Sequence, residues 1–472
     1  MYNPKSKIAE EFISHDEILK TLDYAENNKN NLSLITKILK KAKLANGLSY
    51  TEASVLLACE IEEKNQEIFE LAEQVKNDFY GNRIVLFAPL YLSNYCVNGC
   101  VYCPYNLNNK TISRKKLTQE EIKNEIEALQ NMGHKRLAIE TGEDPINNPI
   151  EYVIDSIKTI YDVKHKNGAI RRVNVNIAAT TVENYKKLHD AGIGTYILFQ
   201  ETYNKKNYES LHPTGPKHNY AYHTEAMDRA MQAGIDDVGL GVLYGLSSYK
   251  YEFAGILMHA EHLEAVHGVG PHTISVPRIK KADGVNPKDF DNGIDDDTFA
   301  KIVACIRIAV PYTGMIVSTR ESAECRQRLL KLGVSQISGG SKTSVGGYFN
   351  PMPEDENSSQ FDLSDKRSLD EIIKWLLNMG FLPSFCTACY SNGRTGERFM
   401  EVCKSKQIQN FCHPNAITTL KEFLEDYATD ETKLVGEKRL AQEILKLDNE
   451  KIKTAVEEYL KKISQGERDF RL

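Results

Sequence analysis

Cys96, Cys100 and Cys103 fall within eight residues at a C-x3-C-x2-C spacing, directly after an apolar run. Three thiolates so close in sequence can hold three irons of a cubane cluster and leave the fourth without a protein ligand. An open iron is where a small molecule can bind and be reduced. A zinc knuckle competes as a reading, but it needs a fourth ligand close by, and no Cys or His follows until His134. Chance clustering is disfavoured when 472 residues hold only 10 cysteines. A second set, Cys386, Cys389 and Cys412, has the spacing C-x2-C-x22-C. No second C-x2-C pair exists to complete a zinc ribbon, although Cys403 could serve as the fourth ligand of an all-thiolate zinc site. The alternative is a second cluster that also keeps one corner open. Two open clusters imply chemistry rather than electron storage alone.

Other residues could act beside these thiols. Arg320 with Ser318 could grip a substrate carboxylate, because a guanidinium fork binds carboxylate bidentately; an ion pair of Arg320 with Glu321 or Glu201 is the plainer possibility. Histidines 262, 267 and 272 lie close together in the chain. His262 is expected to face solvent on a helix. His272 opens a strand and could point inward as an imidazole ligand for iron, or be a hydrogen-bonded core residue. Cys59, Cys305 and Cys325 lie in helical stretches and read as packing thiols.

The scaffold that must position these groups is legible in the hydrophobic pattern. Residues 1–80 read as amphipathic helices, for example LSLITKILKKAKL, and form an N-terminal helical collar or an independent helical domain. From Arg83, short apolar runs recur (RIVLFAPL, RLAIE, RVNVNIA, TYILF, DVGLGVLYG, HTISVP, GMIVS, SQISGG), with seven helical stretches between them. Eight strands alternating with helices predict an α/β fold, a parallel sheet closed as a (β/α)8 TIM-type barrel over 81–345; an open doubly wound sheet is the runner-up. Residues 346–472 then form a C-terminal helical extension carrying the second thiol set, with 346–366 as a turn-rich loop. In a barrel, chemistry gathers at the C-terminal strand ends. The first triad, Glu140-Thr141-Gly142-Glu143, Gln200-Glu201-Thr202-Tyr203 and Ser318-Thr319-Arg320 all fall there.

Composition narrows the function classes. Lys and Arg number 59 against 65 Asp and Glu, a balance of −6, so no basic surface for nucleic acid is expected. No apolar run approaches the ~20 residues of a membrane span, and the first residues lack the apolar core of a signal peptide. The expected location is the cytoplasm, with cysteines as metal ligands and free thiols.

Taken together, the first Cys motif, ETGEDP, FQETYN, GPHTISVPR, STRES, SGGSKTSVGGY and the closing CTACYSNGRTGERFM with Cys412 resemble the FeFe-hydrogenase maturases of the HydG family, tyrosine lyases of the radical S-adenosylmethionine (SAM) superfamily. The resemblance covers roughly residues 80–425. The first motif is specific only to the superfamily. STRE and QETY are shared with the thiazole-forming tyrosine lyase of thiamine biosynthesis, whereas the C-terminal triad separates the maturases from it.

The resemblance implies a 4Fe–4S cluster on Cys96, Cys100 and Cys103 that binds SAM. Tyr102, Thr141, Gly142, Glu143 and Glu201 would contact that cofactor, with Thr141 standing where the usual turn has a first Gly. L-tyrosine, held through its carboxylate by Arg320 and Ser318, would be broken at Cα–Cβ into p-cresol and dehydroglycine. The fragment would pass down the barrel to an auxiliary cluster on Cys386, Cys389 and Cys412 and yield carbon monoxide and cyanide. A labile extra iron there would be held by a histidine, assigned to His272, and by a free amino acid such as cysteine. H-cluster assembly proteins would receive the product. Competing readings are a 2-iminoacetate synthase that stops at dehydroglycine, and a non-catalytic iron–sulfur scaffold.

Overall fold

The computed structural model describes residues 1–349, 351, 357–391, 396–405 and 407–472. Residues 352–356 of the turn-rich loop and 392–395 of the closing cysteine segment therefore lie outside the described residues. Eight parallel strands form the centre: β1 (Arg83–Ser93), β2 (Arg136–Thr141), β3 (Arg172–Asn176), β4 (Tyr196–Ile197), β5 (Val238–Gly241), β6 (Thr273–Ser275), β7 (Gly314–Val317) and β8 (Gln336–Ser338). Each pairs with the next, and β8 returns to β1 through Val85↔Gln336, Leu86↔Ile337 and Phe87↔Ser338. The sheet is closed. The open doubly wound alternative is thereby removed, and the (β/α)8 barrel stands.

β1 shows why the strands read as continuous apolar runs. Ile84, Leu86, Ala88 and Leu90 are buried, while the alternating Val85, Phe87, Pro89 and Tyr91 line cavities inside the barrel. A parallel strand covered on both faces has no solvent side, so no polar alternation appears in its sequence. The helices between strands start where local chemistry places them. Thr118 and Glu121 form a capping box at helix Gln119–Asn131, and Ser368 and Glu371 do the same at helix Leu369–Asn378. Each box satisfies two otherwise orphaned backbone donors.

Five helices precede the barrel, the last being Glu62–Tyr80. This helix packs on helices Asp296–Ala309 and Ala323–Leu332, and the preceding Tyr50–Ala58 packs on Tyr249–His267 and Asp296–Ala309. Tyr80 also donates its hydroxyl hydrogen to the Tyr312 carbonyl at 2.5 Å.

A ninth strand was not anticipated. β9 (Leu382–Ser384) pairs in parallel with the start of β1 through Arg83↔Leu382, Ile84↔Pro383 and Val85↔Ser384. Val85 faces Gln336 across one edge and Ser384 across the other. With a rise of about 3.3 Å per residue, the ten steps of β1 span roughly 33 Å. One long strand thus begins beside the second thiol set and ends at the first. The C-terminal helices close the barrel's N-terminal end. Helix Ile408–Asp426 packs on β9 and on helices Asp430–Ile444 and Glu450–Ser464. Lys135, just before β2, forms a buried ion pair with Glu422 of that helix, which Arg171 joins at 3.4 Å. Among the described residues no helix is long and apolar enough to cross a membrane.

Candidate functional site

Among the described residues a cavity lies toward each end of the barrel. The upper one, of about 220 Å³, is lined by Cys96, Cys100, Tyr102, Cys103, Thr141, Gly142, Glu143, Glu201, Ser318 and Arg320. Residues called from separate parts of the sequence thus meet in one space. The cysteine loop is held in place by backbone and side-chain bonds. Val97 N donates to the Glu143 carbonyl (2.8 Å), Gly99 N to the Thr214 carbonyl (3.0 Å) and Val101 N to the Leu211 carbonyl (3.0 Å). Asn98 bridges its neighbours: its Nδ2 donates to Glu143 Oε2 at 2.6 Å, and its Oδ1 accepts from Lys217 N at 2.9 Å. At Gly142 a side chain is impossible, because a Cβ would collide with the Tyr95 carbonyl oxygen and lie 3.0 Å from Cys96 Cβ. The turn after β2 is therefore pressed directly against the first thiol.

The electrostatics of this end depend on who pairs with whom. Glu201, held at a left-handed φ of 65°, an uncommon conformation for a non-glycine residue, forms an ion pair with Lys217 at 3.0 Å. Glu321 is taken by Arg278 and by Lys280 at 3.1 Å. Neither carboxylate reaches Arg320. Its guanidinium instead stacks 3.6 Å from the Phe361 ring centroid, and among the described residues no carboxylate pairs with it. The plainer possibility raised for Arg320 is thereby removed, leaving a cationic fork in the cavity wall. Ser318 Oγ accepts from Arg320 N at 3.3 Å, which turns the hydroxyl back toward the arginine's own backbone.

Sequence reasoning missed His212 and Lys217 here. Tyr102 donates to His212 Nε2 at 2.7 Å, while His212 Nδ1 donates to the Tyr208 carbonyl at 2.7 Å. Burial and the neighbouring Lys217 hold this imidazole far below its ordinary pKa, so it is neutral. Lys217 lies 5.7 Å over the Tyr102 ring. The stretch LHPTGPK, polar and rich in turn residues after β4, was the available signal.

The lower cavity, of about 60 Å³, is lined by Cys386, Cys389, Cys412 and His272, together with Arg83, Arg136 and Gln336. Cys386 follows β9, Cys389 sits on the short helix Ala388–Ser391, and Cys412 on Ile408–Asp426. Arg136 Nη1 donates to the Cys386 carbonyl at 3.1 Å. Cys403 is buried, and burial followed by the charge of nearby Cys412 raises its thiol pKa, yet it does not line the cavity. His272 Nδ1 lies 3.3 Å from Asp237 Oδ1. Burial opposes the charge on Asp237, but His272 and Arg172 pull its pKa down to about 2.

The other two histidines do not reach this interior. His262 is buried rather than solvent-facing: it stacks on Phe12 at 3.7 Å, its Nδ1 donates to the Pro4 carbonyl, and its Nε2 meets Asp228 at 3.0 Å. The N-terminal segment covers a helix face that the sequence alone left bare. His267 Nε2 shares Asp228 at 2.7 Å.

The two cavities nearly meet. The upper reaches Phe87 and Ser338, and the lower reaches Val85 and Gln336. These are register partners two residues apart along the same strands, a step of about 7 Å.

Both thiol sets suit iron–sulfur clusters by donor chemistry. Burial pushes the Cys100 thiol up to about 12, and burial with the adjacent Cys412 pushes Cys386 up to about 11. A buried thiol stays protonated until a cation offsets its charge, and coordination deprotonates it. Among the described residues no three His, Cys, Asp or Glu side chains close around a single ion-sized point. A cubane several atoms across demands wider spacing than one ion.

Residues 90–257 match the radical SAM superfamily model, and residues 275–382 match the biotin and thiamin synthesis associated domain. The 2-iminoacetate synthase of Salmonella typhimurium is 28% identical over 347 residues, covering 73% of this chain and 89% of the relative. A crystal structure of HydG, a maturase of the [FeFe]-hydrogenase, is 55% identical with a TM-score of 0.94, covering 98% of this chain and 100% of that one. HydG from Carboxydothermus hydrogenoformans is 40% identical with a TM-score of 0.84, covering 96% and 99%.

Proposed function

Because this chain belongs to the HydG family of FeFe-hydrogenase maturases within the radical SAM superfamily, we propose that it cleaves the Cα–Cβ bond of L-tyrosine and converts the smaller fragment to carbon monoxide and cyanide. The products would pass to proteins that assemble the hydrogenase H-cluster. The observation that carries this reading is the pairing of two thiol triads at opposite ends of one barrel with an unpaired guanidinium fork in the upper cavity. Cleavage alone needs one cluster; the second triad supports a second chemistry.

In this reading Cys96, Cys100 and Cys103 hold a 4Fe–4S cluster, and Tyr102, Thr141, Gly142, Glu143 and Glu201 surround bound SAM. When bound, the pair supplies an organic radical able to take a hydrogen atom from an unactivated position. The chain's own work is binding, orientation and exclusion of water. Arg320 binds the tyrosine carboxylate as a bidentate fork, with Phe361 behind it fixing the plane of the guanidinium. The closed walls keep solvent from a radical and from the hydrolysable imine of dehydroglycine. The fragment's route to the lower cavity crosses the layer between Phe87 and Val85. There Cys386, Cys389 and Cys412 hold the auxiliary cluster, and His272 with a free amino acid such as cysteine holds a labile iron. Asp237 beside Nδ1 would leave the other ring nitrogen of His272 as the one to hold that iron.

The test is a product assay on anaerobically reconstituted protein given tyrosine, SAM and a reductant. Cresol is quantified, and carbon monoxide is trapped on a haem protein in the same vial. Both products are expected. Cresol without carbon monoxide at full iron loading would instead assign a 2-iminoacetate synthase activity, and neither product would assign a scaffold.

A further inference from the structure

Among the described residues three glutamates line the upper cavity, and the ties on each differ. Glu201 is paired with Lys217 at 3.0 Å, and Glu143 accepts from Asn98 Nδ2 at 2.6 Å. Glu140 also lines the cavity, yet among the described residues no Lys, Arg or His forms an ion pair with it. Glu140 is the register partner of Tyr91, so the two inward side chains stand side by side on neighbouring strands. Arg320, likewise without a carboxylate partner, acts on Glu140 across the same space without closing an ion pair. Among the described residues the cavity therefore presents a guanidinium without a carboxylate partner and, acting on it, a carboxylate tied by a Tyr91 hydrogen bond but by no ion pair. That pattern is complementary to an α-amino acid, which carries a carboxylate and an ammonium on one carbon.

We propose that Glu140 binds the α-ammonium of the substrate and removes one proton from it, a role that rests on the tyrosine-lyase reading of this site. The N–H bond breaks with its electron pair remaining on nitrogen, a new O–H bond forms on the Glu140 carboxylate, and no electron is gained or lost. The proton is held and then returned: once the radical has taken one hydrogen atom, the hydrogens left on tyrosine equal those of cresol and dehydroglycinate, so the proton on Glu140 goes back to the cresol fragment as that fragment gains one electron from the reductant the reaction uses. Glu140 is suited to both halves of the task. Burial raises its carboxyl to about 7 against the pull of Arg320 and Tyr91. An acceptor poised there can take a proton near neutral pH and release it again. The groups that face it are Tyr91 on β1, Tyr105 in the cysteine loop, Tyr348 after β8, Arg320 after β7 and Glu201 after β4. Each tyrosine is held protonated by burial, first of all, so none competes as the base.

The experiment compares tyrosine with 3-(4-hydroxyphenyl)propanoate, which keeps the carboxylate and phenol and lacks the amine. Equilibrium binding is measured on full-length, anaerobically reconstituted protein in the presence of SAM, and cresol formation is followed across pH. Wild type is expected to bind tyrosine about ten- to hundredfold more tightly than the propanoate, the worth of a charge-assisted hydrogen bond. In Glu140→Gln that preference falls to about threefold or less while propanoate affinity holds, and the rise of cresol formation through neutral pH disappears. Retention of the preference and of the pH limb in Glu140→Gln would overturn the inference. Should that variant fail to fold, wild type alone decides: equal affinity for the two ligands overturns the role of Glu140. Wild type that forms cresol yet shows no amine preference leaves the tyrosine-lyase reading intact. Wild type that binds neither ligand and forms no cresol removes that reading and this inference together.

Discussion

Replacing Arg320 by Lys separates charge from geometry in the upper cavity. The guanidinium is stacked 3.6 Å from the centroid of Phe361, and its fork faces the cavity without a carboxylate partner. Lysine keeps the positive charge but offers a point donor, so one of two parallel charge-assisted bonds to the substrate carboxylate is lost. Such a bond is worth about 1.5–3 kcal/mol, and each 1.4 kcal/mol is a factor of ten, so kcat/KM for tyrosine should fall about ten- to 150-fold. The loss should appear mainly in KM, because the carboxylate is bound equally in the ground and transition states. The folded state should suffer little, since no ion pair of Arg320 is broken among the described residues. The assay is initial cresol formation against tyrosine concentration, with SAM affinity and iron content measured in parallel. Iron content and SAM affinity should match wild type. A KM within twofold of wild type would refute the assignment of Arg320 as the carboxylate fork.

Three further perturbations probe other parts of the argument. Gly142→Ala drives a Cβ into the Tyr95 carbonyl and against Cys96, so iron bound after reconstitution should fall by the content of one cluster, with a stability loss of about 1–3 kcal/mol; iron analysis showing full loading would contradict the close-approach argument. Cys412→Ser should lower the ratio of carbon monoxide to cresol by about tenfold or more, read in the two-product assay, and an unchanged ratio would dissociate the lower thiols from the second chemistry. Burial holds His134 down at about 3 against an ordinary value of 6.5. Between those values the unfolded chain binds a proton that the folded chain refuses. Stability is therefore complete above pH 6.5 and declines by about 1.4 kcal/mol per pH unit as pH falls toward 3. Denaturant unfolding of His134→Leu between pH 7 and 5 should show a flatter acid limb, and an identical slope would mean that His134 titrates normally in the fold.

Much of the upper site was legible because its parts are local. The spacing of Cys96, Cys100 and Cys103 belongs to the chain itself, and so does the turn Thr141-Gly142-Glu143 after an apolar run. The rule that barrel strands deliver their C-terminal ends to one face then collected Arg320, Ser318 and Glu201 around them. His212 and Lys217 were harder. They sit in a loop after β4 with no periodicity, and their importance follows only from contact with Tyr102 and Glu201. His262 was misread for a related reason. Its helix has apolar residues on all sides, and the segment around Pro4 and Phe12 that covers it comes from more than 240 residues earlier in the chain.

What the chain determines unaided is what short-range sequence can encode: helices begun by capping boxes, strands as apolar runs, and two thiol sets whose spacing suits clusters. Tertiary structure alone decided three other matters. It closed β8 onto β1. It laid β9 beside the start of β1, which put Cys386 and Cys389 at the end of the barrel opposite Cys96. It also assigned Glu201 to Lys217 and Glu321 to Arg278, which leaves Arg320 and Glu140 without an ion pair among the described residues. Such outcomes are competitions among partners far apart in sequence, decided by distance and burial in the folded chain. The spacing of residues along the backbone carries no record of which partner wins.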